Sequence, residues 1–305
     1  MAREFPRTVL EFEHWFRTEE ACEEYLAGLR WPTGFTCSRC GHFKAWHRSR
    51  GLRKCSNCSA EISVAARTVF HRSKIPLRTW FRAMWWVTNQ KSGINALGLQ
   101  RLLGLGSYQT AWTLLHKLRR AMVRTQRELL SGEVEVDETL IGGLSKGDQS
   151  RDRKNVVIIA AEVRGRGIGR IRLESLKNDR MGHIIGFVRK TIAPASEIIS
   201  DGSWAYRRLT ELGYRHSRTV LHNKGREAPS VALPRVHRIA SLLKRWLLGT
   251  YQGRPSRKQL QHYLAEFTFR FNRRKSPTRG MLFFRLAQQC VGREPTPYRS
   301  LVGTL

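Results

Sequence analysis

The chain has 305 residues, and its 55 Lys and Arg outnumber its 24 Asp and Glu, which gives a formal net charge of +31. This excess disfavours cationic partners and favours a polyanion, above all nucleic acid, although a ribosomal-type binder or a merely basic surface would share it. Apolar residues make up 41% of the chain, enough for a packed core, so the sequence is not that of a disordered basic tail.

The sequence contains no membrane or secretion signal. Its longest apolar run covers residues 156–161, whereas a membrane span needs about 18–20 apolar residues. The first ten residues lack the apolar segment of a secretory signal. We therefore predict a cytoplasmic protein that does not associate with membranes.

The first predicted elements are a helix over residues 10–28 and a cysteine-rich module. Two Cys-x-x-Cys pairs follow the helix, with fourteen residues between them. Each pair can aim two thiolates at one point, so two pairs form the tetrahedral sulfur site typical of structural Zn²⁺. Redox-active thiols and an iron–sulfur cluster are the alternatives. The predicted zinc ligands are Cys37, Cys40, Cys55 and Cys58.

Basic residues surround these cysteines. They favour contact with DNA phosphates, and the alternative is a solvated basic surface. These residues are Arg39, Lys44, His47, Arg48, Arg50, Arg53 and Lys54. Small residues after each pair, Gly41 and Ala60, would let backbone N–H groups approach the sulfurs.

Three helices are predicted after the cysteine-rich module. Pro76 opens the first, and the second is short and ends in glycines. Ser107 is a suitable N-cap for the third, which is longer and basic. A short helix, a turn containing glycine and a longer basic helix predict a helix-turn-helix.

After Gly132 the pattern changes to strands followed by alternating helices, which predicts an α/β domain. Strands are predicted over residues 133–141, 155–163 and 169–176, before Asp201, and over 216–221. Helices are predicted over residues 179–191, 203–213, 235–248 and 256–272, with a loop at 222–234.

Two aspartates lie on predicted strands of this domain. Alternation places Val134 and Val136 on one side of the first strand and Asp137 on the other, with Glu135. Asp201 ends a later strand, where ligands gather in open α/β sheets. A lone aspartate at such a position is often a turn residue or helix cap. Two on neighbouring strands instead predict a site for Mg²⁺ or Mn²⁺, at which phosphodiester chemistry can be catalysed.

Three further residues lie near these aspartates. Glu138 should point to the opposite face of the strand from Asp137. We predict that Trp204 and Tyr206 pack against the protein, and the alternative is stacking on a nucleobase.

Six segments in order resemble the prokaryotic insertion-sequence transposases that carry an N-terminal zinc ribbon and a ribonuclease H-like DDE catalytic domain. They are WPTGFTCSRCG, KCSNC, VDETLIGG, SDGSWAY, HRIASLLKRWLLGTYQG and LAEFTFRFNRR. The resemblance implies that Asp137 and Asp201 are the first two metal-binding acids. It also implies a third acid seven residues before a basic residue on one helix face, and counting back from Lys244 gives His237.

The histidine at this position departs from the acidic pattern and has two interpretations. His237 replaces the carboxylate as metal ligand or general base, in which case Mn²⁺ should be favoured. Alternatively, this copy is catalytically damaged. Lys244 is expected to contact DNA near the cut.

The resemblance implies a DNA transposase that binds terminal inverted repeats, cleaves there by hydrolysis and joins the freed 3′-hydroxyl to target DNA. Its partners would be double-stranded DNA at element ends and target, and a second copy of the chain. We expect a helical lead and zinc ribbon at 1–72, a helix-turn-helix segment at 73–130, a ribonuclease H-like catalytic domain with a mixed sheet and flanking helices at 131–275, and a helical tail at 276–305. A zinc-ribbon DNA-binding regulator with an inert α/β domain and a metal-dependent nuclease without strand transfer are the alternatives.

Overall fold

The computed structural model describes residues 4–124, 126–142, 155–219, 232–251 and 255–303. The chain forms two compact units, one made of Met1–Arg124 with Lys275–Leu305 and the other of Thr125–Arg274. Most of the loop predicted at residues 222–234 lies outside the described residues. Within the described ranges, no helix has the length and apolar character needed to cross a membrane.

The first unit combines helices with one small antiparallel sheet. The sheet contains β1 (Ala45–Arg48), β2 (Leu52–Cys55) and β3 (Glu61–Ser63), in that order. The helices are α1 (Val9–Trp15), α2 (Glu19–Arg30), α3 (Leu77–Asn89), α4 (Ala96–Leu103), α5 (Tyr108–Ala121), α9 (Gly280–Val291) and α10 (Tyr298–Val302). Where one helix was predicted over residues 10–28 the structure has two, because the Thr18 hydroxyl accepts a hydrogen bond from the Ala21 N–H (3.2 Å) and starts a second helix.

Aromatic side chains form the core of this unit. The rings of Phe12 and Trp85 are 4.7 Å apart between centroids, and those of Phe16 and Phe81 are 4.8 Å apart. Phe283 lies 5.4 Å from Phe12. Because Phe283 belongs to α9, this helix completes a core begun by α1 and α3.

The connection between α4 and α5 is short and well defined. Gly104 ends α4 in the left-handed region (φ 61°), where a residue without a Cβ is favoured. The Ser107 hydroxyl accepts a hydrogen bond from the Thr110 N–H (3.1 Å), so Ser107 is the N-cap that the sequence predicted.

The second unit contains a mixed five-stranded sheet. Its strands are β4 (Glu133–Ile141), β5 (Asn155–Arg164), β6 (Gly167–Leu176), β7 (Glu197–Asp201) and β8 (Arg215–Thr219), in the order β6-β5-β4-β7-β8. The hairpin pairs β4–β5 and β5–β6 are antiparallel, whereas β4–β7 and β7–β8 are parallel. Its helices are α6 (Met181–Thr191), α7 (Pro234–Tyr251) and α8 (Arg257–Phe271).

The two faces of this sheet have separate cores. Val134 and Val136 pack with residues of α6, whereas Ile141 packs with residues of α7 and α8. Helices on both faces and a mixed sheet with its first strand at the centre confirm the predicted ribonuclease H-like α/β fold.

One predicted element of this unit is wrong. Residues 203–213 form two short 3₁₀ turns, Trp204–Tyr206 and Thr210–Leu212, instead of one helix. Tyr206 and Leu209 are fully buried in the core on the α6 side, and two short turns bury both while the chain passes to β8.

Candidate functional site

The four cysteines of the ribbon converge on one point. The sulfurs of Cys37 and Cys58 are 3.6 Å apart, as are those of Cys40 and Cys55. A disulfide would need about 2.05 Å, whereas Zn–S bonds of about 2.3 Å place tetrahedral sulfurs roughly 3.8 Å apart. The arrangement therefore fits a tetrahedral zinc site and excludes a pair of disulfides.

Backbone N–H groups support these sulfurs. The N–H of Ala60 donates to the sulfur of Cys58, as the sequence predicted. After the first Cys-x-x-Cys pair, the N–H of His42, rather than that of Gly41, donates to the sulfur of Cys40. This hydrogen bond is the main reason that the pKa of Cys40 falls to about 6. Gly41 instead makes the left-handed turn (φ 74°) after the pair.

The two faces of the ribbon sheet differ in their contacts. Arg53 is buried and its guanidinium lies 2.7 Å from the Glu24 carboxylate of α2. Trp46 on β1 lies opposite Lys54 on β2, one position from the pair of His47 and Arg53. Because successive side chains of a strand point to opposite faces, Trp46 and Lys54 lie on the face away from α2. Trp46 is 55% exposed. The basic residues of the ribbon therefore have two different surroundings. Arg53 forms an ion pair with Glu24, whereas Lys54 lies beside the exposed Trp46 on the other face.

Strand register brings the two predicted aspartates together in the second unit. In the parallel ladder Val134 pairs with Ile198 and Glu135 with Ile199. Continued two residues, the same offset places Asp137 opposite Asp201. Directly opposite residues on neighbouring strands point to the same face.

The electrostatics agree with this placement. Burial raises the pKa of Asp137, and the nearby negative charge of Asp201 acts in the same direction. The backbone N–H of Glu138 and the imidazole of His237 oppose the rise. A buried carboxylate whose pKa is raised partly by a neighbouring carboxylate belongs to a site that a divalent cation would stabilise.

His237 lies beside Asp137. Its Nε2 is 3.8 Å from Oδ2 of Asp137, on the second turn of α7. His237 and Lys244 line one cavity of about 400 Å³ together with Asp137 and Glu138, so the seven-residue spacing does put both side chains on one face of α7. Asp201 is not among the residues that line this cavity.

The start of α7 is fixed by a residue that the sequence analysis did not select. Glu135 is 1% exposed, and its carboxylate accepts hydrogen bonds from the N–H groups of Arg235 (2.7 Å) and Val236 (3.0 Å). It also accepts one from the Arg235 guanidinium (2.7 Å). Since Glu135 and Asp137 lie on the same face of β4, this contact sets His237 next to Asp137. Alternation predicted that Glu135 lies on this face, but no pattern in the sequence indicated its partner.

Glu138 bridges the site and the opposite core. Its carboxylate accepts a hydrogen bond from the hydroxyl of Tyr206, which is fully buried. Burial raises the pKa of Glu138 to about 7. The packing predicted for Tyr206 is confirmed, whereas Trp204 is 62% exposed, so the prediction that it packs is wrong.

Two carboxylates and an imidazole are donors that suit Mg²⁺ or, better, Mn²⁺. Among the described residues, however, the cysteines are the one set of three or more ligands whose atoms lie within 4.8 Å of one another. Asp137 interacts with His237 and with Asp201, but the donor atoms of these three residues do not all lie within that distance of one another.

Comparisons with known proteins match both parts of the chain. The ISXO2-like transposase domain matches residues 129–272, and the transposase zinc-ribbon domain matches residues 17–61. The chain is 25% identical over 282 residues to the uncharacterized protein in transposable element ISH50 of Halobacterium salinarum, covering 84% of this chain and 91% of that protein. A chain of the simian T-cell lymphotropic virus intasome in complex with PP2A regulatory subunit B56 gamma matches over 67% of this chain and 72% of its own length, at 13% identity and a TM-score of 0.32.

Proposed function

Because the chain belongs to the insertion-sequence transposases with a zinc ribbon and a DDE domain, we propose that it cuts DNA at the ends of its element and joins them to a target. The observation that supports this proposal is the β4–β7 register, whose last pair is Glu135 and Ile199 and whose offset, continued two residues, would set Asp137 opposite Asp201. His237, 3.8 Å from Asp137, supplies a third donor on the same side of the sheet.

Asp137, Asp201 and His237 would hold Mg²⁺ or Mn²⁺ in this function. Such a cation activates an attacking oxygen and stabilises a leaving one. In the first step water attacks the phosphodiester at the element's end and frees a 3′-hydroxyl. In the second, that hydroxyl attacks a target phosphodiester in line and displaces the 3′-oxygen of the target strand, so one P–O bond breaks as another forms and no covalent bond to the protein is needed.

The other residues of the cavity position the DNA. Lys244 lies on the same face of α7 as His237 and would bind a phosphate beside the cut. Glu135 fixes the start of α7 and so holds both side chains against β4. The protein's contribution is positioning and charge stabilisation.

DNA binding is assigned to the first unit. Trp46, Arg48 and Lys54 lie on the face of the ribbon that points away from α2. The cations on this face would contact the phosphates of a DNA duplex. The helices α4 and α5 would act as a helix-turn-helix in recognising terminal inverted repeats. Two ends must be held together for joining, so at least two copies of the chain are expected in the active complex.

The test uses labelled DNA carrying the inverted repeats that flank the gene, a plasmid target and Mn²⁺. We expect joined products from the parent chain and a loss of about 1,000-fold or more in Asp137→Asn and Asp201→Asn, with DNA binding retained. The matched control is Glu174→Gln, which removes a β6 carboxylate paired with Lys190. Cleavage without joining would identify a nuclease, and binding alone a regulator. Either result would overturn the proposal.

His237 is tested separately. His237→Ala should slow joining at least tenfold in Mn²⁺ if the imidazole is a donor. Joining at the parent rate would exclude His237 from the site and leave the two aspartates as its ligands.

A further inference from the structure

The turn after Asp201 presents an aromatic side chain that the proposed reaction does not use. Trp204 is 62% exposed. The guanidinium of Arg207 lies 3.8 Å from the centroid of its ring. An indole covered on both faces would be mostly buried, so the face opposite Arg207 is open to solvent.

The turn holds this ring in a fixed place. The carboxylate of Asp201 accepts a hydrogen bond from the Ser203 N–H (3.1 Å), directly before Trp204. Directly after it, Ala205 and Tyr206 are buried, and the Tyr206 hydroxyl donates to Glu138. Trp204 is therefore anchored on both sides to residues that also contact the predicted metal site.

The charge around Trp204 favours a polyanionic partner. Arg208 is paired with Glu211 at 2.9 Å, whereas Arg207 makes no ion pair with a carboxylate within the described residues. A guanidinium that lies on an aromatic ring keeps its N–H donors at the ring's edge, where they can reach a phosphate. An apolar protein partner would instead require apolar neighbours, whereas the exposed residues beside Trp204 in the chain are Gly202, Ser203, Arg207 and Arg208.

We propose that Trp204 is a stacking platform for a nucleobase next to the cleaved phosphodiester, with Arg207 supporting the ring and binding the adjacent phosphate. This inference rests on the proposed function, because it places the cut at Asp201. Every base has a π-face, so such a platform recognises an unstacked base rather than a sequence. Its ligand is a nucleotide that is unpaired at the end of the element.

The experiment measures binding without Mg²⁺ or Mn²⁺, so that no cleavage occurs. Two duplexes carry the flanking inverted repeat, one fully paired and one with two unpaired bases at the cleavage step. One of the unpaired bases is 2-aminopurine. Trp204→Ala should weaken binding of the unpaired probe about 5- to 150-fold and change the paired probe less. Trp204→Phe, which keeps a stacking face, should lose less than Trp204→Ala. In the parent complex 2-aminopurine emission should be quenched, and Trp204→Ala should restore it.

The control is Leu248→Ala, which removes a 71% exposed apolar side chain from the same unit. It should bind both probes as the parent does. Equal affinity and equal emission for parent and Trp204→Ala would overturn the proposal. The proposal would also be overturned if Trp204→Ala lost dimer mass in sedimentation while the 2-aminopurine emission stayed as in the parent complex. That result would assign Trp204 to a contact between copies of the chain. The proposed function fails by a different result, normal joining by Asp201→Asn.

Discussion

The contact between Glu135 and the start of α7 allows a quantitative test of how the fold positions the site. Glu135 is 1% exposed and accepts two backbone hydrogen bonds, at 2.7 and 3.0 Å, as well as one from the guanidinium of Arg235. Replacing it with alanine leaves two N–H groups without their acceptor and removes the counter-charge of a partly buried guanidinium, which keeps only the carbonyl oxygens of Gly165 and Gly167. Removing one partner of a buried ion pair costs about 3–5 kcal/mol. Because the Arg235 side chain is 20% exposed, we expect the lower end, about 3 kcal/mol.

The matched control is Glu174→Ala on β6. Glu174 also pairs with a cation, Lys190 at 2.9 Å, but the two side chains are 30% and 60% exposed. Such a pair contributes less than about 1 kcal/mol. The comparison therefore separates the effect of burial from the effect of losing an acidic residue on the sheet.

Hydrogen exchange of the α7 amides is the suitable assay, since the chain has two units and unfolding of the whole need not be two-state. A loss of about 3 kcal/mol should speed exchange in α7 roughly 100-fold. Joining activity should fall with it, because His237 and Lys244 lose their fixed position. If Glu135→Ala and Glu174→Ala exchange at the same rate in α7, the buried carboxylate does not hold the helix and this reasoning is wrong.

Three further predictions follow from the two predicted metal sites. Each chain should contain one Zn²⁺ by metal analysis. Cys40→Ser should lose this zinc, together with the circular dichroism signal and the thermal melting of the ribbon. A Cys40→Ser chain with full zinc and an unchanged melting curve would contradict the four-cysteine site. His237→Glu should shift the preference from Mn²⁺ towards Mg²⁺ in joining assays, because a carboxylate replaces an imidazole, and an unchanged Mn²⁺/Mg²⁺ ratio would count against His237 as a ligand. Burial raises the pKa of Glu138 to about 7, so without a divalent cation the folded state binds its proton more tightly than the unfolded state. Stability of the cation-free second unit should therefore decrease as pH rises from about 4.5 to 7, by about 3 kcal/mol in all. Glu138→Gln should remove most of this decrease in urea titrations at pH 5 and 8, and the same pH dependence in both chains would contradict the prediction.

Local patterns predicted most of the elements that carry the site. Strict alternation along β4 separated Val134 and Val136 from Glu135 and Asp137, and the two faces of the sheet confirm that separation. Such alternation works because β4 is covered by helices of different cores on its two faces. The cysteine spacing was similarly informative, because it depends on short-range geometry alone.

The sequence does not indicate which residues far apart in the chain contact one another. Nothing near Glu135 indicates that it accepts hydrogen bonds from residues one hundred positions away. No turn joins β4 directly to β7, since β5, β6 and α6 lie between them in the chain, so no local pattern indicates their parallel register. The helix predicted over residues 203–213 is wrong for a related reason: Tyr206 and Leu209 are both buried and have a helical separation, but Tyr206 ends one short turn and Leu209 precedes the next.

The ladder between β4 and β7 also determines where this chain can change length. Asp137 and Asp201 share a face because of one offset, set by three paired rows. Residues added or lost between Ile141 and Asn155 leave that offset intact, because β5 pairs with the other edge of β4. The segment after α6 is constrained, because Ile192 forms a bridge with Leu130 and the Ala193 N–H donates to the Leu130 carbonyl. Deleting a single residue inside Glu197–Asp201 would turn the second carboxylate to the opposite side of the sheet. Natural relatives should therefore vary in length between Ile141 and Asn155 while keeping the strand lengths constant, and tags or reporter domains should be inserted in that connection.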